Sequence, residues 1–587
     1  MKNFFKIVAA TFIGSLFALV LGTLILVGII GSIASFTESK TPTVPGSAIL
    51  SINFASAITE QSKESPFSAF NPMASFSSNT TGILDFVQTI DRAAADPAIK
   101  MIYLNLNDLN AGITHTEEIR SAFKRFRESG KPIISYADNY SQKAYYLATV
   151  SDKVYLNPAG TATLTGLSMS SMFFKDMLDK IGVEVQLIRH GKFKAAAEQF
   201  ISNKMSAENR EQLQAYLDAV WNTWLADISE SRRMPVEKIN DLTDNLKLGT
   251  AKNALEAGIV DGLMYKDELT DTLVHLFGVK DEKALKTISL SDYSKATKKI
   301  NLKEKNKIAV IYADGEIIMG KSDENIASDN FVALLAKVRK DSSIKAVVMR
   351  VNSPGGSAQS SEIIERELAL LRKDKPVVVS MGDYAASGGY WIAANADKII
   401  ANNTTLTGSI GVFSLVINAQ KTLNKHLSIN TGTVNTNKHS DIMSGYRALD
   451  SEEIAFIQSS VEVIYTDFVN LVANGRNLSA AKVDSIGQGR IWSGADALKI
   501  GLTDEKGGLY EALRTAAAMG ELESYRVVEY PVIKSQIDKI LEMLSESGES
   551  ARVIANPELL IEKAYSKLRN ESGIKTYARL PYNIDIR

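Results

Sequence analysis

Residues 343–349 read SIKAVVM, and residues 98–104, about 245 positions earlier in the chain, read AIKMIYL. A second pair, KPVV at 375–378 and KPII at 131–134, keeps nearly the same spacing. Self-similarity over such a distance marks an internal duplication. The chain therefore contains two copies of one folding unit, and this duplication organises the whole fold.

Each copy alternates short apolar runs with helical patterns. The runs at 101–106 and 133–136 in the first copy correspond to those at 346–351 and 377–381 in the second. Apolar strands that alternate with helices are typical of a parallel sheet in a β–α–β arrangement. The sequence therefore predicts an α/β fold with two tandem repeats. The predicted parts are a membrane anchor and linker at 1–46, a first repeat at 47–290, a second repeat at 291–525 and a helical tail at 526–587.

The composition of the 587-residue chain excludes several kinds of function. Its formal net charge of -1 gives no basic surface for nucleic acid. It contains 0 cysteines, so disulfides, thiolate nucleophiles and zinc sites built on cysteine are excluded. The apolar share of 45% is that of an ordinary globular protein with a sizeable core.

The N-terminus predicts a membrane anchor. Lys2 and Lys6 precede an uncharged run over residues 7–36, which is longer than the ~20 apolar residues that span a bilayer. A cleavable signal peptide is the alternative, because residues 32–34 read SIA, a small-x-small pattern. Apolar cores of signal peptides are only about 7–15 residues long, so the anchor is favoured. The lysines before the run predict a cytoplasmic N-terminus, with the rest of the chain beyond the cytoplasmic membrane.

Ser387 is the candidate nucleophile. It stands in ASGGY at 386–390, between a predicted strand and a predicted helix, with small neighbours that leave its hydroxyl uncovered. A serine at such a turn is more often a helix cap, but the aligned stretch of the first copy, SQKA at 141–144, lacks it. Gly355 and Gly356 directly follow another predicted strand. Glycines there permit a close backbone approach, and N–H groups at such a turn can stabilise an oxyanion.

A serine nucleophile needs a base, and the chain offers two kinds. The five histidines are His115, His190, His275, His426 and His439. Of these, His190 and His439 fall in the right general region. A neutral lysine is the alternative, as in the known Ser-Lys variant of the catalytic triad. Lys194 follows Phe193 and precedes three alanines, and such flanks permit a partly desolvated amine with a lowered pKa. The second copy has Ser440 at the corresponding position, so the two candidate groups come from different copies.

Four motifs together carry a resemblance to a known family. They are SPGG at 353–356, ASGGYW at 386–391, LTGSIG at 406–411 and KAAAEQF at 194–200. With the duplication and the apolar N-terminus, they resemble the long form of the signal peptide peptidase A (protease IV) family over essentially the whole chain. KAAAEQF departs from the family pattern, in which Ser follows the lysine and Pro precedes the phenylalanine. This departure leaves fine substrate preference open.

The resemblance implies a fold and a set of residue roles. Each repeat is expected to have a Clp protease/crotonase-like fold. Ser387 is the implied nucleophile, Lys194 the implied general base and Ser409 the residue that orients the lysine. Gly356 and Gly388 are assigned to the oxyanion hole. No metal, nucleotide or organic cofactor is implied.

The resemblance also implies substrates, partners and a location. The expected substrates are signal peptides already released from preproteins, together with other apolar peptides. The expected location is the bacterial cytoplasmic (inner) membrane, with the N-terminal helix in the bilayer, the catalytic part in the periplasm and the chains assembled as a homotetrameric ring. Two other functions stay open: an inactive, membrane-tethered scaffold that binds extended apolar peptides, and acyl-CoA chemistry, which suits the fold alone. Residues 62–81, rich in Ser, Asn and Pro, are expected to form a surface loop.

Overall fold

The structure is a computed structural model. It describes residues 6, 10–11, 13–17, 20–22, 42–62, 80–298, 301, 303–532 and 576–579. Most of the expected membrane anchor, most of the expected loop at 62–81 and most of the tail therefore lie outside the described residues. Within the described part of the chain, no helix combines the length and the apolar character needed to cross a bilayer.

The first repeat alternates strands and helices. Its strands are β1 (Ala48–Phe54), β2 (Ile58–Thr59), β3 (Thr81–Gly82), β4 (Ile99–Leu109), β5 (Ile133–Ala137), β6 (Lys153–Leu156), β7 (Glu184–His190), β8 (Gly262–Leu263) and β9 (Thr287–Ser289). Its helices are α1 (Ile83–Ala95), α2 (Ile113–Glu128), α3 (Gln142–Ala148), α4 (Lys175–Lys180), α5 (Glu198–Ile201), α6 (Ala207–Arg232), α7 (Val236–Asp244), α8 (Ala251–Ala257), α9 (Lys266–Phe277) and α10 (Leu290–Thr297).

The second repeat follows the same scheme. Its strands are β10 (Lys307–Asp314), β11 (Ile317–Ile318), β12 (Ile326–Ala327), β13 (Ile344–Ser353), β14 (Gly355–Ser357), β15 (Val377–Ala386), β16 (Lys398–Ala401), β17 (Leu406–Gly408), β18 (Val412–Asn418), β19 (Ile491–Ser493), β20 (Glu505–Lys506) and β21 (Arg526–Tyr530), and a last strand, β22 (Thr576–Arg579), lies near the C-terminus. Its helices are α11 (Ser328–Lys340), α12 (Ala358–Asp374), α13 (Gly388–Ala393), α14 (Ser451–Arg476), α15 (Ala480–Ile486), α16 (Gly494–Lys499) and α17 (Leu509–Met519).

The two main sheets have the same strand order. The first runs β8-β6-β5-β4-β1-β9, and the second runs β20-β16-β15-β13-β10-β21, with every neighbouring pair parallel. The order of the second sheet is thus that of the first, strand for strand, as expected for duplicated units. The predicted α/β fold with tandem repeats is confirmed.

The central strands are buried on both faces, as parallel strands covered by helices are. In β13, Val347, Val348 and Met349 are all fully buried. Val348 belongs to the same apolar cluster as Phe54 and Phe86 of the first repeat. The two repeats therefore share one hydrophobic core instead of meeting through a thin contact.

A third sheet joins the repeats. β7 of the first repeat pairs antiparallel with β18 of the second, from Val412↔His190 to Asn418↔Glu184. This ladder fixes where the first repeat's chain leaves β7, at a point directly beside the start of β18. The segment after β7 contains Lys194, and the turn before β18 contains Ser409.

Two stretches of the expected helical tail are strands. β21 pairs parallel with β10 at the edge of the second sheet, and β22 pairs with β14 and β18 in the third sheet. The sequence RVVEY of β21 explains the first difference, because β-branched and aromatic residues fit a pleated edge strand. The rest of the tail lies outside the described residues.

Candidate active site

Lys194 and Ser387 meet at the contact between the repeats. Lys194 Nζ lies 2.6 Å from Ser387 Oγ, although the two residues are 193 positions apart. Both are buried, with 1% of Lys194 and none of Ser387 exposed. The structure therefore brings the candidate base of one repeat within hydrogen-bonding distance of the candidate nucleophile of the other.

Ser387 has a strained backbone. It follows the end of β15 and precedes α13, with φ 56° and ψ -116°. Such angles are uncommon for a residue with a Cβ and cost on the order of 1–3 kcal/mol. Its N–H donates to the carbonyl of Gly408 at 2.8 Å, but its side chain makes no capping bond to α13. The turn thus holds the hydroxyl toward Lys194 instead of over the helix end.

The environment of Lys194 favours the neutral amine. Burial lowers the pKa of Lys194 well below its usual value, and no charge among the described residues contributes to the shift. A buried ammonium without a carboxylate partner is costly, so the group loses its proton instead. An amine that is neutral near pH 7 can accept a proton from a serine hydroxyl.

The main chain around Lys194 is held by both repeats. The N–H of Phe193 donates to the carbonyl of Gln488 at 2.9 Å, and Gln212 donates to the carbonyl of Phe193 at 3.1 Å. Gly489 lies against Lys194, where an added Cβ would be 2.5 Å from the lysine Cβ. Its φ of 81° also favours glycine. Gly489 is a site residue that the sequence analysis missed.

Ser409 completes the surroundings of the amine. Its Oγ and its carbonyl oxygen lie 3.0 Å and 3.1 Å from Lys194 Nζ. The residue has φ 51°, and its N–H donates to the carbonyl of Arg490 at 2.7 Å. The structure therefore places both oxygens of Ser409 within hydrogen-bonding distance of the amine.

The two predicted oxyanion glycines, Gly388 and Gly356, lie in α13 and β14. Gly388 is the first residue of α13, and the first N–H groups of a helix have no acceptor within it. Gly356 lies in β14, paired with Ile317, and an added Cβ would be 2.0 Å from the Ile317 carbonyl oxygen. Gly389 approaches Ser353 so closely that an added Cβ would be 2.6 Å from its carbonyl oxygen. This contact fixes α13 against the strand–turn that carries Gly356.

The histidines that could have served as the base have other partners. His190 Nδ1 lies 2.6 Å from Glu462, and His439 Nδ1 lies 3.0 Å from Glu453. All five histidines lie among the described residues, and no histidine is hydrogen-bonded to Ser387 there. The geometry favours the lysine over the histidines.

A network of largely buried charged side chains includes Asp383 of β15, the strand that precedes Ser387. Arg350 in β13 donates to Glu60 at 2.7 Å and to Glu118 at 2.6 Å. His115 lies 3.0 Å from Glu60 and 3.3 Å from Asp383 in β15. Three of these residues come from the first repeat and two from the second. The network therefore connects β15, which ends one residue before Ser387, to the opposite repeat.

The charged groups of this network shift one another's pKa values so that each stays in its charged form. Burial alone would raise the pKa of Glu60, but Arg350 and His115 lower it to about 2. Burial opposes ionisation of Asp383 too, and His115 lowers its pKa to about 2. Burial would lower the pKa of His115, but Glu60 and Asp383 raise it well above its usual value. The sequence analysis did not predict this cluster, because its members are far apart along the chain and meet only in the fold.

One cluster of side chains has the spacing of a metal site. His439, Asp450 and Glu453 each offer a ligand atom, all within 4.8 Å of one another. However, Arg447 donates to both carboxylate oxygens of Glu453, and Asp450 caps α14. The guanidinium of Arg447 thus already supplies the positive charge that a metal ion would bring. The cluster is explained by its stabilisation of the start of α14.

Comparison with known proteins agrees with the duplication. The model of Peptidase family S49 matches twice, at residues 125–280 and 369–523, and the Clp protease model matches residues 300–406. Protease 4 of Haemophilus influenzae is 36% identical over 508 residues, which are 84% of this chain and 82% of that protein. The chloroplastic serine protease SPPA of Arabidopsis thaliana is 32% identical over 468 residues, 78% of this chain and 69% of that protein. A putative signal peptide peptidase SppA of Enterococcus faecium is 38% identical over 210 residues, 36% of this chain and 61% of that protein.

Proposed function

Because the chain belongs to peptidase family S49 and is a serine peptidase, we propose that it cleaves peptides with Ser387 as nucleophile and Lys194 as general base. The observation that carries this proposal is the 2.6 Å separation of Lys194 Nζ and Ser387 Oγ, in a part of the structure where no described charged group shifts the pKa of the amine. An uncharged amine at this distance accepts the proton of the serine as the hydroxyl attacks a peptide carbonyl.

Ser409 has a positioning role in this proposal. A neutral amine has two N–H donors and one lone pair. The carbonyl oxygen and the Oγ of Ser409 are in range of the two N–H groups. The lone pair is then directed at the hydroxyl of Ser387, and the lysine side chain is held in the orientation that proton transfer requires.

The reaction follows as acyl transfer in two steps. Ser387 Oγ bonds to the carbonyl carbon while its proton moves to Lys194 Nζ, and the N–H groups of Gly388 and Gly356 stabilise the negative oxygen. The ammonium then protonates the leaving amine as the peptide bond breaks. Water attacks the ester in the same way, with Lys194 again as base, and releases the acid product and free Ser387.

We propose apolar peptides, above all released signal peptides, as the substrates. Ala196, Ala197 and Phe413 form a small apolar cluster next to Lys194, flanked by Leu187 and Phe200. Apolar side chains next to the proposed base suit an apolar, extended peptide. The name of the relative from Enterococcus faecium, a putative signal peptide peptidase, supports the same class.

The proposed setting is a membrane-anchored homotetramer with its catalytic part in the periplasm. The uncharged run at 7–36 supports the anchor, and exposed apolar side chains such as those of Met172 and Met177 support contact between chains. Deletion of residues 1–38 is expected to release the protein from membranes. Sedimentation of the detergent-solubilised enzyme is expected to give a tetramer, and a fully active monomer would overturn the assembly.

The decisive experiment compares four alanine variants on a fluorogenic apolar signal peptide. Ser387→Ala and Lys194→Ala are expected to lose activity while keeping the fold by circular dichroism. His190→Ala and His439→Ala serve as matched controls and are expected to remain active. A fluorophosphonate is expected to label the wild-type serine. An active Lys194→Ala variant, or wild-type protein that neither cleaves nor is labelled, would contradict the proposal, and the latter result would favour the peptide-binding scaffold.

A further inference from the structure

The loop at residues 487–490 connects α15 to β19 and holds two parts of the candidate active site. On one side, the carbonyl of Gln488 accepts a hydrogen bond at 2.9 Å from the N–H of Phe193, the residue before the lysine. On the other side, the carbonyl of Arg490 accepts one at 2.7 Å from the N–H of Ser409. The position of the lysine relative to Ser409 therefore depends on the conformation of this loop.

Further contacts attach the loop closely to the segment that carries the lysine. The guanidinium of Arg490 lies 4.7 Å from the ring centroid of Phe193, and it donates to Glu211 of α6 at 2.7 Å. An added Cβ at Gly191 would be 2.4 Å from the carbonyl oxygen of Gln488. A displacement of the loop thus displaces the lysine segment, because the two are in direct contact.

The loop has a strained backbone at Gln488. Its φ is 56°, in the left-handed region that is unfavourable for a residue with a Cβ. Such a conformation persists only where the surrounding structure holds it. The loop therefore needs an anchor outside itself.

The hydroxyl of Tyr465 in α14 supplies this anchor. Only 4% of Tyr465 is exposed, and its hydroxyl donates to Asp484 Oδ1 at 2.6 Å and accepts the N–H of Gln488 at 3.2 Å. The side-chain amide of Gln488 donates to the same carboxylate oxygen at 2.9 Å. Burial and the bond to Asp484 raise the pKa of Tyr465, so the hydroxyl keeps its proton and remains a donor. One hydroxyl thus holds the backbone of Gln488 directly and its side chain through Asp484.

The ring and the hydroxyl of Tyr465 have different surroundings. The ring belongs to the apolar core of the second repeat, together with Val461 and Phe468 of the same helix. The hydroxyl makes both of its bonds outside α14, to α15 and to the 487–490 loop. Phenylalanine at this position therefore keeps the packing and removes only the attachment of the loop.

We propose that Tyr465 is a positioning residue of the peptidase reaction, whose hydroxyl holds the 487–490 loop and thereby keeps Lys194 buried and directed at Ser387. This inference rests on the proposed function and adds a residue to it. Without the hydroxyl, the loop and the lysine segment loosen and water reaches the amine. Because burial is what lowers the pKa of Lys194, better hydration favours the ammonium form, which cannot accept the proton of Ser387.

The first test measures peptide cleavage by full-length Tyr465→Phe. Its kcat at pH 7 is expected to fall about tenfold with little change in KM, because the substrate still binds but the base is misplaced and more often protonated. The acid limb of its kcat/KM profile is expected to move up by about one pH unit, since a better-hydrated amine has a pKa closer to its ordinary value. The deficit should then shrink toward pH 10. An unshifted acid limb would overturn the proposal.

Tyr293→Phe is the matched control. Tyr293 of α10 is also fully buried, and its hydroxyl donates to a carboxylate oxygen of Asp96 at 3.0 Å, within the first repeat. Loss of this bond is expected to lower the urea midpoint as Tyr465→Phe does, but to leave kcat and the acid limb unchanged. The same fall of kcat in both variants would mean that general destabilisation explains it, and the proposal would be wrong.

Two substitutions of Asp484 test whether the hydroxyl acts through its bonds. Asp484→Asn retains Oδ1 as an acceptor for Tyr465 and Gln488, so kcat and the acid limb are expected to stay close to those of the wild type. Asp484→Ala removes the acceptor and is expected to reproduce the shift seen in Tyr465→Phe. An acid limb that Asp484→Ala leaves in place would contradict the anchoring role.

Hydrogen–deuterium exchange followed by mass spectrometry gives a readout that is independent of catalysis. Peptides that contain Phe193 are expected to exchange faster in Tyr465→Phe than in the wild type, because its N–H loses a fixed acceptor, and to be unchanged in Tyr293→Phe. Equal exchange in Tyr465→Phe and the wild type would overturn the proposal. An active Lys194→Ala variant would instead refute the proposed function, whereas a fully active Tyr465→Phe beside an inactive Lys194→Ala would refute this inference alone.

Discussion

The corresponding strands β5 and β15 of the two repeats are followed by different kinds of turn. In the first repeat, Ser141 precedes α3 with φ -67° and ψ 158°, and its side chain accepts a hydrogen bond from the N–H of Ala144. In the second, Ser387 precedes α13 with φ 56° and ψ -116°, and its side chain makes no capping bond. Both turns follow strands at the same place in the same sheet order. One serine stabilises a helix start, whereas the other is held in a strained conformation with its hydroxyl toward Lys194.

The contrast explains why a serine at a strand–helix turn is ambiguous in sequence. The first repeat does have a capping serine, one position before the residue that aligns with Ser387. The backbone angles and the hydrogen-bond partner of the hydroxyl separate the two roles. Relaxed angles and a bond to the helix N–H indicate a cap. A positive φ and a buried amine as partner indicate a reactive group.

The largest expected effect tests this contrast directly. Ser387→Ala is expected to lower kcat/KM by about 10⁴-fold or more, because the nucleophile is removed. Ser141→Ala is expected to keep the activity and to lower the free energy of unfolding by about 1 kcal/mol, the usual effect of losing a cap. The measurements are peptide cleavage and urea unfolding. Loss of activity in both variants, with the fold retained, would show that the two turns are not functionally distinct.

Removal of the buried arginine is expected to have the next largest effect. Arg350→Met leaves Glu60 and Glu118 buried without their cation, which is expected to cost about 3–5 kcal/mol in urea unfolding. Arg120→Met is the matched control, because Arg120 is also buried but donates mostly to neutral oxygens in the first repeat. Its loss is expected to cost clearly less. Equal costs would mean that the network does not stabilise the contact between the repeats.

The network affects the free energy of unfolding in opposite directions as pH changes, because its carboxyl pKa values are lowered and its histidine pKa is raised. Glu60 and Asp383, each with a pKa lowered to about 2, stabilise the fold above their ordinary pKa values, and this stabilisation is lost as pH falls toward 2. His115 has a raised pKa, so its contribution is complete below pH 6.5 and is lost as pH rises through its folded pKa. In His115→Gln, the free energy of unfolding is expected to fall most below pH 6.5. A loss that grows with rising pH would contradict this assignment.

Alanine substitutions at two glycines distinguish the effect of backbone strain from the effect of contact with Lys194. Gly489 and Gly320 have φ 81° and 84°, so an alanine at either position is strained by about 1 kcal/mol. Only at Gly489 would the new Cβ collide with Lys194, and no atom lies within 4 Å of one at Gly320. Gly489→Ala is expected to lower kcat about 10²-fold, since displacement of a catalytic group by about 1 Å has such effects, whereas Gly320→Ala is expected to keep kcat. Equal kcat values in the two variants would contradict a role for Gly489 in placing the lysine.

The smallest expected effect concerns stability. Between the lowered pKa of folded Lys194 and its ordinary pKa near 10.5, the unfolded chain binds one proton more than the folded chain, so stability rises with pH. Lys194→Met removes this proton and is expected to be inactive yet more stable than the wild type at pH 7. The gain should shrink as pH approaches 10.5. A pH-independent difference in urea unfolding would mean that the amine is not neutral in the folded protein.

The sequence predicted those parts of the fold and of the candidate site that are duplicated or that stand in motifs. The duplication predicted two sheets of one strand order, and the absence of Ser387 from one copy and of Lys194 from the other predicted that the site joins the copies. The network around Arg350 and the contact of Gly489 with Lys194 were out of reach, because such contacts arise only when distant segments pack. The strand at Thr576–Arg579 was missed because so short a stretch has no periodicity of its own and is extended only through its two neighbours.

The division of Lys194 and Ser387 between the copies has a consequence for synthesis. During translation the lysine leaves the ribosome long before the serine, and Gln488 and Gly489, which hold the lysine's main chain, follow later still. A nascent or prematurely terminated chain accordingly contains Lys194 without Ser387, so it has no complete candidate active site. Other polypeptides in its surroundings are therefore exposed to proteolysis only once an almost full-length molecule has folded.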